Sequence, residues 1–125
     1  MNRSNLIIEK LLDKTARKEF IWWPFSNFSD YSSLPFFGYQ HLVPEESYFY
    51  SYGDGHFFLA TFKATANDAK IMTELILGFQ KSSEKNFDII SKDQEKLFEL
   101  KSLIEYEEPE KEIKDILDDF LNDNE

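Results

Sequence analysis

SYFYSYGDGHFFLATFKA, residues 47–64, sets two aromatic runs on either side of Gly53-Asp54-Gly55. Aromatic side chains suit the pleated, half-buried surface of a strand. Glycine reaches positive φ at no steric cost, so the glycines between the runs predict a tight antiparallel hairpin. On the second strand Phe58, Ala60 and Phe62 share one face, and Phe57, Leu59 and Thr61 share the other. Bulky groups on both faces predict a sheet covered on both sides over part of its area.

Upstream, Pro44-Glu45-Glu46 separates this hairpin from a further run, Phe36 to Val43. Ahead of that lies the aromatic segment Phe20 to Phe28, and Ser29 to Pro35 has loop composition. Pro24 lacks a ladder donor, so it marks an edge, a bulge or a strand end. Downstream, Lys70 to Gln80 fits two patterns. As a strand, Ile71, Thr73, Leu75, Leu77 and Phe79 fall on one face. As a helix, Thr65 caps it and Met72, Leu75, Ile76 and Phe79 form the stripe, with Gly78 weakening it. The short connections before it favour a strand entered by a turn at Asn67-Asp68. Positive φ in the Gly-Asp-Gly turn makes Gly55 the position expected to resist a side chain more than Gly78.

Helical periodicity brackets these strands. Leu6, Ile7, Leu11 and Leu12 recur at helical spacing between Ser4 and Lys18, with Ser4 as the expected N-cap. Phe87 to Ile90 is a short apolar extended piece. Ser91-Lys92-Asp93-Gln94 then fits a capping box opening a helix over 92–106, striped by Leu97, Leu100 and Ile104. Pro109 suits the first position of a last helix, in which Ile113, Ile116, Leu117, Phe120 and Leu121 form an amphipathic stripe. The expected architecture is α+β: an N-terminal helix, an antiparallel meander of about five strands, and two C-terminal helices packed on one face. Residues 1–125 form one domain, with 109–125 an acidic helix and tail that could stand as an appendage.

Composition narrows the function. The 125 residues contain no cysteine, which excludes a disulfide scaffold and a Cys-ligated metal. No apolar run approaches the ~18 residues of a membrane span. Met1-Asn2-Arg3-Ser4-Asn5 leads into a charged amphipathic pattern rather than a signal-peptide core, so the expectation is a soluble cytoplasmic protein without membrane association. A net charge of -10 argues against direct nucleic-acid binding through phosphate contacts. The charge is polarised. Met1 to Lys18 carries a net +3, whereas Glu105 to Glu125 carries a net -8. Such a run is ordinarily a solvated, solubilising face; the alternative is a surface for a basic protein partner.

The motifs for chemistry are weak. His41 and His56, with Glu45, Glu46 and Asp54 near them in sequence, could form a mixed His/carboxylate metal site, but no metal-binding spacing supports it. No nucleophile elbow, P-loop or EF-hand pattern is present, and neither catalysis nor a cofactor is expected. Fifteen or so aromatics between Phe20 and Phe62 first suggest core packing; Trp22, Trp23, Tyr50 and Tyr52 are also the residue types that anchor interfaces. Asp115, Asp118 and Asp119 sit in the later turns of the last helix, where its dipole and mutual repulsion disfavour them, so helix stability alone does not choose them. In character the chain is similar to small acidic immunity or regulatory proteins, and its Lys, Asn, Ile and Phe content suits an AT-rich bacterial or phage genome. The expected function is a non-catalytic interaction protein that binds a basic partner through these seven residues. The alternative is a small-ligand module with an aromatic-lined pocket between sheet and helices.

Overall fold

A computed structural model describes residues 2–27, 39–65, 69–82, 84, 86–106 and 111–122, with the backbone alone for 111–114. Helix α1 spans Arg3–Ala16; strands β1 to β5 span Trp23–Pro24, Tyr48–Tyr52, Gly55–Thr65, Ile71–Lys81 and Phe87–Ser91; helices α2 and α3 span Gln94–Glu105 and Lys111–Leu121. The strands form one antiparallel sheet in sequence order. This is the α+β fold that the hairpin and the flanking periodicities predict.

The hairpin forms where Gly-Asp-Gly places it, closed by the Tyr52–Gly55 pair. Of its two turn residues only Gly53 has positive φ, at +58°, as a type II′ turn requires of its first position. Gly55 is needed for space: a Cβ there would strike the Phe79 ring and the Gln80 carbonyl. Gly78 is equally confined, beneath the Phe58 ring and against the Asp88 carbonyl, so the positive φ expected to set Gly55 apart lies at Gly53 and space does not separate the two. It sits at a register shift in the β4–β5 ladder, a place where strand glycines recur.

Residues 71–81 are a strand, paired along their whole length with β3. The membership of the sheet differs elsewhere. The Phe20 to Phe28 run contributes only Trp23–Pro24 before a 3-10 turn at Phe25–Asn27. Phe36 to Val43 was the second expected strand. Its first three residues lie outside the described residues, as do Phe28, the Ser29 to Pro35 loop, the Asn67-Asp68 turn and Pro109. Over 39–43 the chain makes a single bridge, Leu42 to Phe62, because His41 turns it at φ +75° and Pro44–Glu46 lifts it away in a 3-10 turn. Ser47 stitches that excursion back: its Oγ accepts from Thr61 N–H and donates to the Val43 carbonyl, 2.9 and 2.8 Å. The fifth strand is instead Phe87–Ser91.

Both faces of the sheet are covered, as the alternation implies. One bears Leu59, Leu75 and Leu77 against Ile8, Leu11 and Leu12 of α1, Trp22, and Leu97 and Leu100 of α2. Each fully buried aliphatic side chain of this kind contributes about 1.5–3 kcal/mol. The other face bears Phe49, Phe58, Ala60 and Ile76 around Phe25. The helix starts differ from expectation. Asn2, not Ser4, caps α1, accepting from Asn5 N–H at 2.8 Å. Asp93, not Ser91, caps α2. Gln94 does not reach back to close a capping box. It pairs instead with β4: Leu75 N–H donates to its Oε1, and its Nε2 donates to the Leu75 carbonyl, both 2.8 Å. The β5 ladder ends at the Leu77–Ser91 pair, so this amide takes the place of the next strand residue.

The last helix departs from expectation most. It forms, but it does not bury its stripe on the sheet: Ile116, Leu117, Phe120 and Leu121 are 61, 48, 75 and 77% exposed.

Candidate functional site

The seven residues proposed from sequence separate into four settings. Trp22 is core: it is 8% exposed, and its indole Nε1 donates to Thr15 Oγ1 at 2.9 Å. Tyr50 is half-buried, stacked on Phe20 at 4.4 Å and tilted against Trp22 at 5.7 Å. Burial, with Tyr52 beside it, pushes its phenol up from the usual value and keeps it protonated. Trp23 and Tyr52 are exposed on the sheet edge formed by β1 and β2. Asp115, Asp118 and Asp119 are exposed on α3 and belong to a different surface.

Between α1 and the hairpin lies a cavity of about 130 Å³ lined by Ile7, Lys10, Leu11, Phe20, Tyr50, Tyr52 and Phe57. Its position is the one the ligand-module alternative requires. Its size is that of a benzene-sized void, below the roughly 300 Å³ at which drug-sized ligand pockets begin.

His41 and His56 do not come together. The His41 carbonyl accepts from Lys63 N–H, and His56 lies seven residues earlier along the same strand, roughly 20 Å away at strand rise. His41 is exposed and His56 buried. Burial holds the His56 imidazole below its usual pKa against an opposing hydrogen bond with Gln80. Among the described residues no three His, Asp or Glu side chains are grouped to hold a metal ion.

A polar cluster escaped the sequence. Glu46 pairs with Lys63 at 2.6 Å and Lys101 at 3.2 Å; Lys101 pairs with Glu105 at 3.0 Å, and Tyr48 donates to Glu105 at 2.6 Å. The Lys63 hydrogen bond is the largest influence holding the Glu46 carboxyl below its usual range. Burial and the Glu105 carboxylate raise the Tyr48 phenol well above its own. Its members come from residues 46, 48, 63, 101 and 105, and only the Lys101–Glu105 spacing is visible as a helical pair. Each charge is answered by a neighbour, and the arrangement ties the end of α2 to the sheet rather than exposing a proton donor or acceptor.

Among the described residues, apolar surface is open beside Phe62 and the exposed Met72, and at two places on the helices. The first is a groove of about 720 Å³ where the C-terminal ends of α1 and α2 meet the segment before β1, lined by Thr15, Ala16, Lys18, Phe20, Ile21, Trp22, Leu103, Ile104 and Tyr106. Ile21 and Tyr106 are 61 and 62% exposed, and the Lys18 ammonium stands 6.0 Å from the centre of the Tyr106 ring. The second is the stripe of α3. At 100° per residue, Asp118 and Asp119 flank that stripe on opposite sides while Asp115 lies behind it. No described helix is long and apolar enough to cross a membrane. No family model, curated protein or solved structure matches the chain.

Proposed function

We propose that this chain is a non-catalytic interaction protein whose α3 is the docking element for a basic protein partner. The observation that carries the proposal is the exposed stripe of Ile116, Leu117, Phe120 and Leu121 on a helix flanked by Asp118 and Asp119. A helix apolar on one side and acidic around it lays that side into an apolar groove, the mode in which anchors recur at i, i+3, i+4 and i+7. The acids then bring a basic partner in faster and set its orientation, while the stripe supplies the slow dissociation. The exposed Trp23 and Tyr52 are secondary contacts on this reading. The setting we propose is the cytoplasm of a bacterium or of a phage-infected cell.

A photo-crosslinking residue placed at Leu117, on the stripe, and separately at Asn122, on the back of α3, tests it in the native host. The reading expects one basic protein captured from Leu117 and not from Asn122. It also expects the purified pair to associate more slowly as salt rises. Equal capture from both positions, or none from either, refutes it.

A further inference from the structure

The cavity between α1 and the hairpin has the size and walls of a single-ring site. At about 130 Å³ it is close to the roughly 150 Å³ of an apolar cavity that takes benzene. Its floor is set by Ile7 and Leu11 of α1, and its remaining walls are aromatic. The Phe20 ring stacks on Tyr50 at an interplanar angle of 20°, and Tyr50 and Phe57 lie within 12° of parallel, 6.4 Å between centres. Rings so aligned offer flat faces, which a planar ring covers by offset or edge contact better than a puckered one.

The polar groups of this lining are of one kind. Lys10 is its single charged residue, and Tyr50 and Tyr52 add two phenols. The acids beside Lys10 on α1 are engaged elsewhere, Glu9 with Lys96 and Asp13 with Arg17. Among the described residues no hydrogen bond or ion pair uses the Lys10 ammonium or either phenolic hydroxyl. Lys10 and Tyr52 are exposed, so they stand at the mouth, where the lysine stem covers apolar wall and its ammonium stays in water. A cation and two O–H groups are donors, so the polar end of an occupant has to be an acceptor, and an anion answers the unpaired charge.

We infer that this cavity binds a monocyclic aromatic carboxylate, its ring between α1 and the hairpin and its carboxylate at the mouth on Lys10. The inference uses neither α3 nor its partner.

Titration of the full chain with phenylacetate, followed by backbone amide NMR, tests it. Benzyl alcohol, benzylamine and cyclohexylacetate serve as neutral, cationic and non-planar controls. Lys10→Met keeps the stem and removes the charge at an exposed position; Ile7→Phe fills the cavity, and its amide spectrum verifies the fold. Phenylacetate is expected to saturate with a Kd of about 1 mM or tighter, shifting amides of α1 and the hairpin around the cavity. All three controls bind more weakly. Lys10→Met weakens phenylacetate about threefold and leaves benzyl alcohol unchanged, and Ile7→Phe weakens both. No saturable shift at the cavity well above that concentration overturns the inference. So does benzylamine or cyclohexylacetate binding as tightly as phenylacetate. A Lys10→Met variant that binds phenylacetate as the wild type does, or loses benzyl alcohol equally, overturns it too, leaving Lys10 as a solvated surface charge. None of these outcomes alters the crosslinking result, so the two proposals fail separately.

Discussion

Helices α2 and α3 have nearly the same length, 12 and 11 residues, and each carries an apolar stripe, yet only one is part of the core. α2 buries Leu97 and Leu100 completely, enters the sheet through the Gln94–Leu75 amide pair, and leaves it through Lys101, Glu105 and Tyr48. α3 has the cleaner pattern and, among the described residues, none of these attachments. Amphipathicity therefore marks which side of a helix wants cover, and specific anchors at its two ends decide whether its own chain supplies it. The largest expected effect follows directly. Leu100→Ala should cost about 2–5 kcal/mol in urea denaturation, the range for emptying a packed site. Phe120→Ala, at a concentration where the chain is monomeric, should stay within about 0.5 kcal/mol of the wild type. A comparable loss at Phe120 would mean that α3 is held by its own chain.

The entry anchor of α2 gives the next effect. Leu75 is fully buried, and Gln94 serves both its N–H and its carbonyl on the side where β5 has ended. Gln94→Leu keeps the apolar volume and removes both bonds. The cost expected is about 1–3 kcal/mol for each group that water does not then reach. Hydrogen exchange at the Leu75 amide should accelerate with it. An unchanged amide there would show that α2 is fixed by its leucines alone.

How much of this was legible in the sequence follows from how local each feature is. The Gly-Asp-Gly hairpin, the strand at 71–81 and the helical stripes rest on neighbours within a few residues, and all of them formed. The capping box misled because Gln94 had a better partner nineteen residues away, on an edge whose vacancy depends on where β5 stops. Trp22 and Trp23 look alike in sequence. One turns inward to Thr15 just before β1 and the other lies exposed in it, and only the sheet's position says which. Gly78 read as a flaw in a helix; its role is to admit the Phe58 ring from the neighbouring strand. The groove was invisible for the same reason, since its walls come from residues more than eighty apart. The acids of α3 were legible, but their division into flanking and rearward positions follows only once the helix is phased against its exposed stripe.

Two groups in and beside the sheet should make stability depend on pH. His56 is buried in the sheet, and burial lowers its pKa from the ordinary 6.5 despite the Gln80 hydrogen bond. The unfolded chain then takes up a proton first. The stability present above about pH 6.5 is lost as pH falls through the lowered folded value. Glu46, held low first by its Lys63 bond, acts in the next window: its contribution is complete above its ordinary 4.5 and disappears as pH falls through its folded value. His56→Gln should flatten the upper part of a stability–pH curve and Glu46→Gln the lower part, whatever each does to the plateau. If His56→Gln leaves the slope below pH 6.5 unchanged, the imidazole is not the group that titrates there.

The smallest effect on folding belongs to the acids of α3. Asp118 and Asp119 lie toward the negative end of the helix dipole, and Asp115 and Asp119 repel at i, i+4. Replacing all three by Asn should leave the melting temperature unchanged or slightly higher, because no described hydrogen bond or ion pair uses them. The same change should slow association with a basic partner and flatten its salt dependence, since steering depends on long-range charge that salt screens. Dissociation should change less, because the apolar stripe that holds the complex is untouched. The phasing sharpens this further. Asp115→Asn alone, behind the stripe, should slow association less than Asp118→Asn or Asp119→Asn, which stand beside it. Equal effects from all three would mean that the helix acts through its total charge and not through the side it presents. No effect from any would make the acidic run a solubilising face, with the stripe left as the only part of α3 that recognises anything.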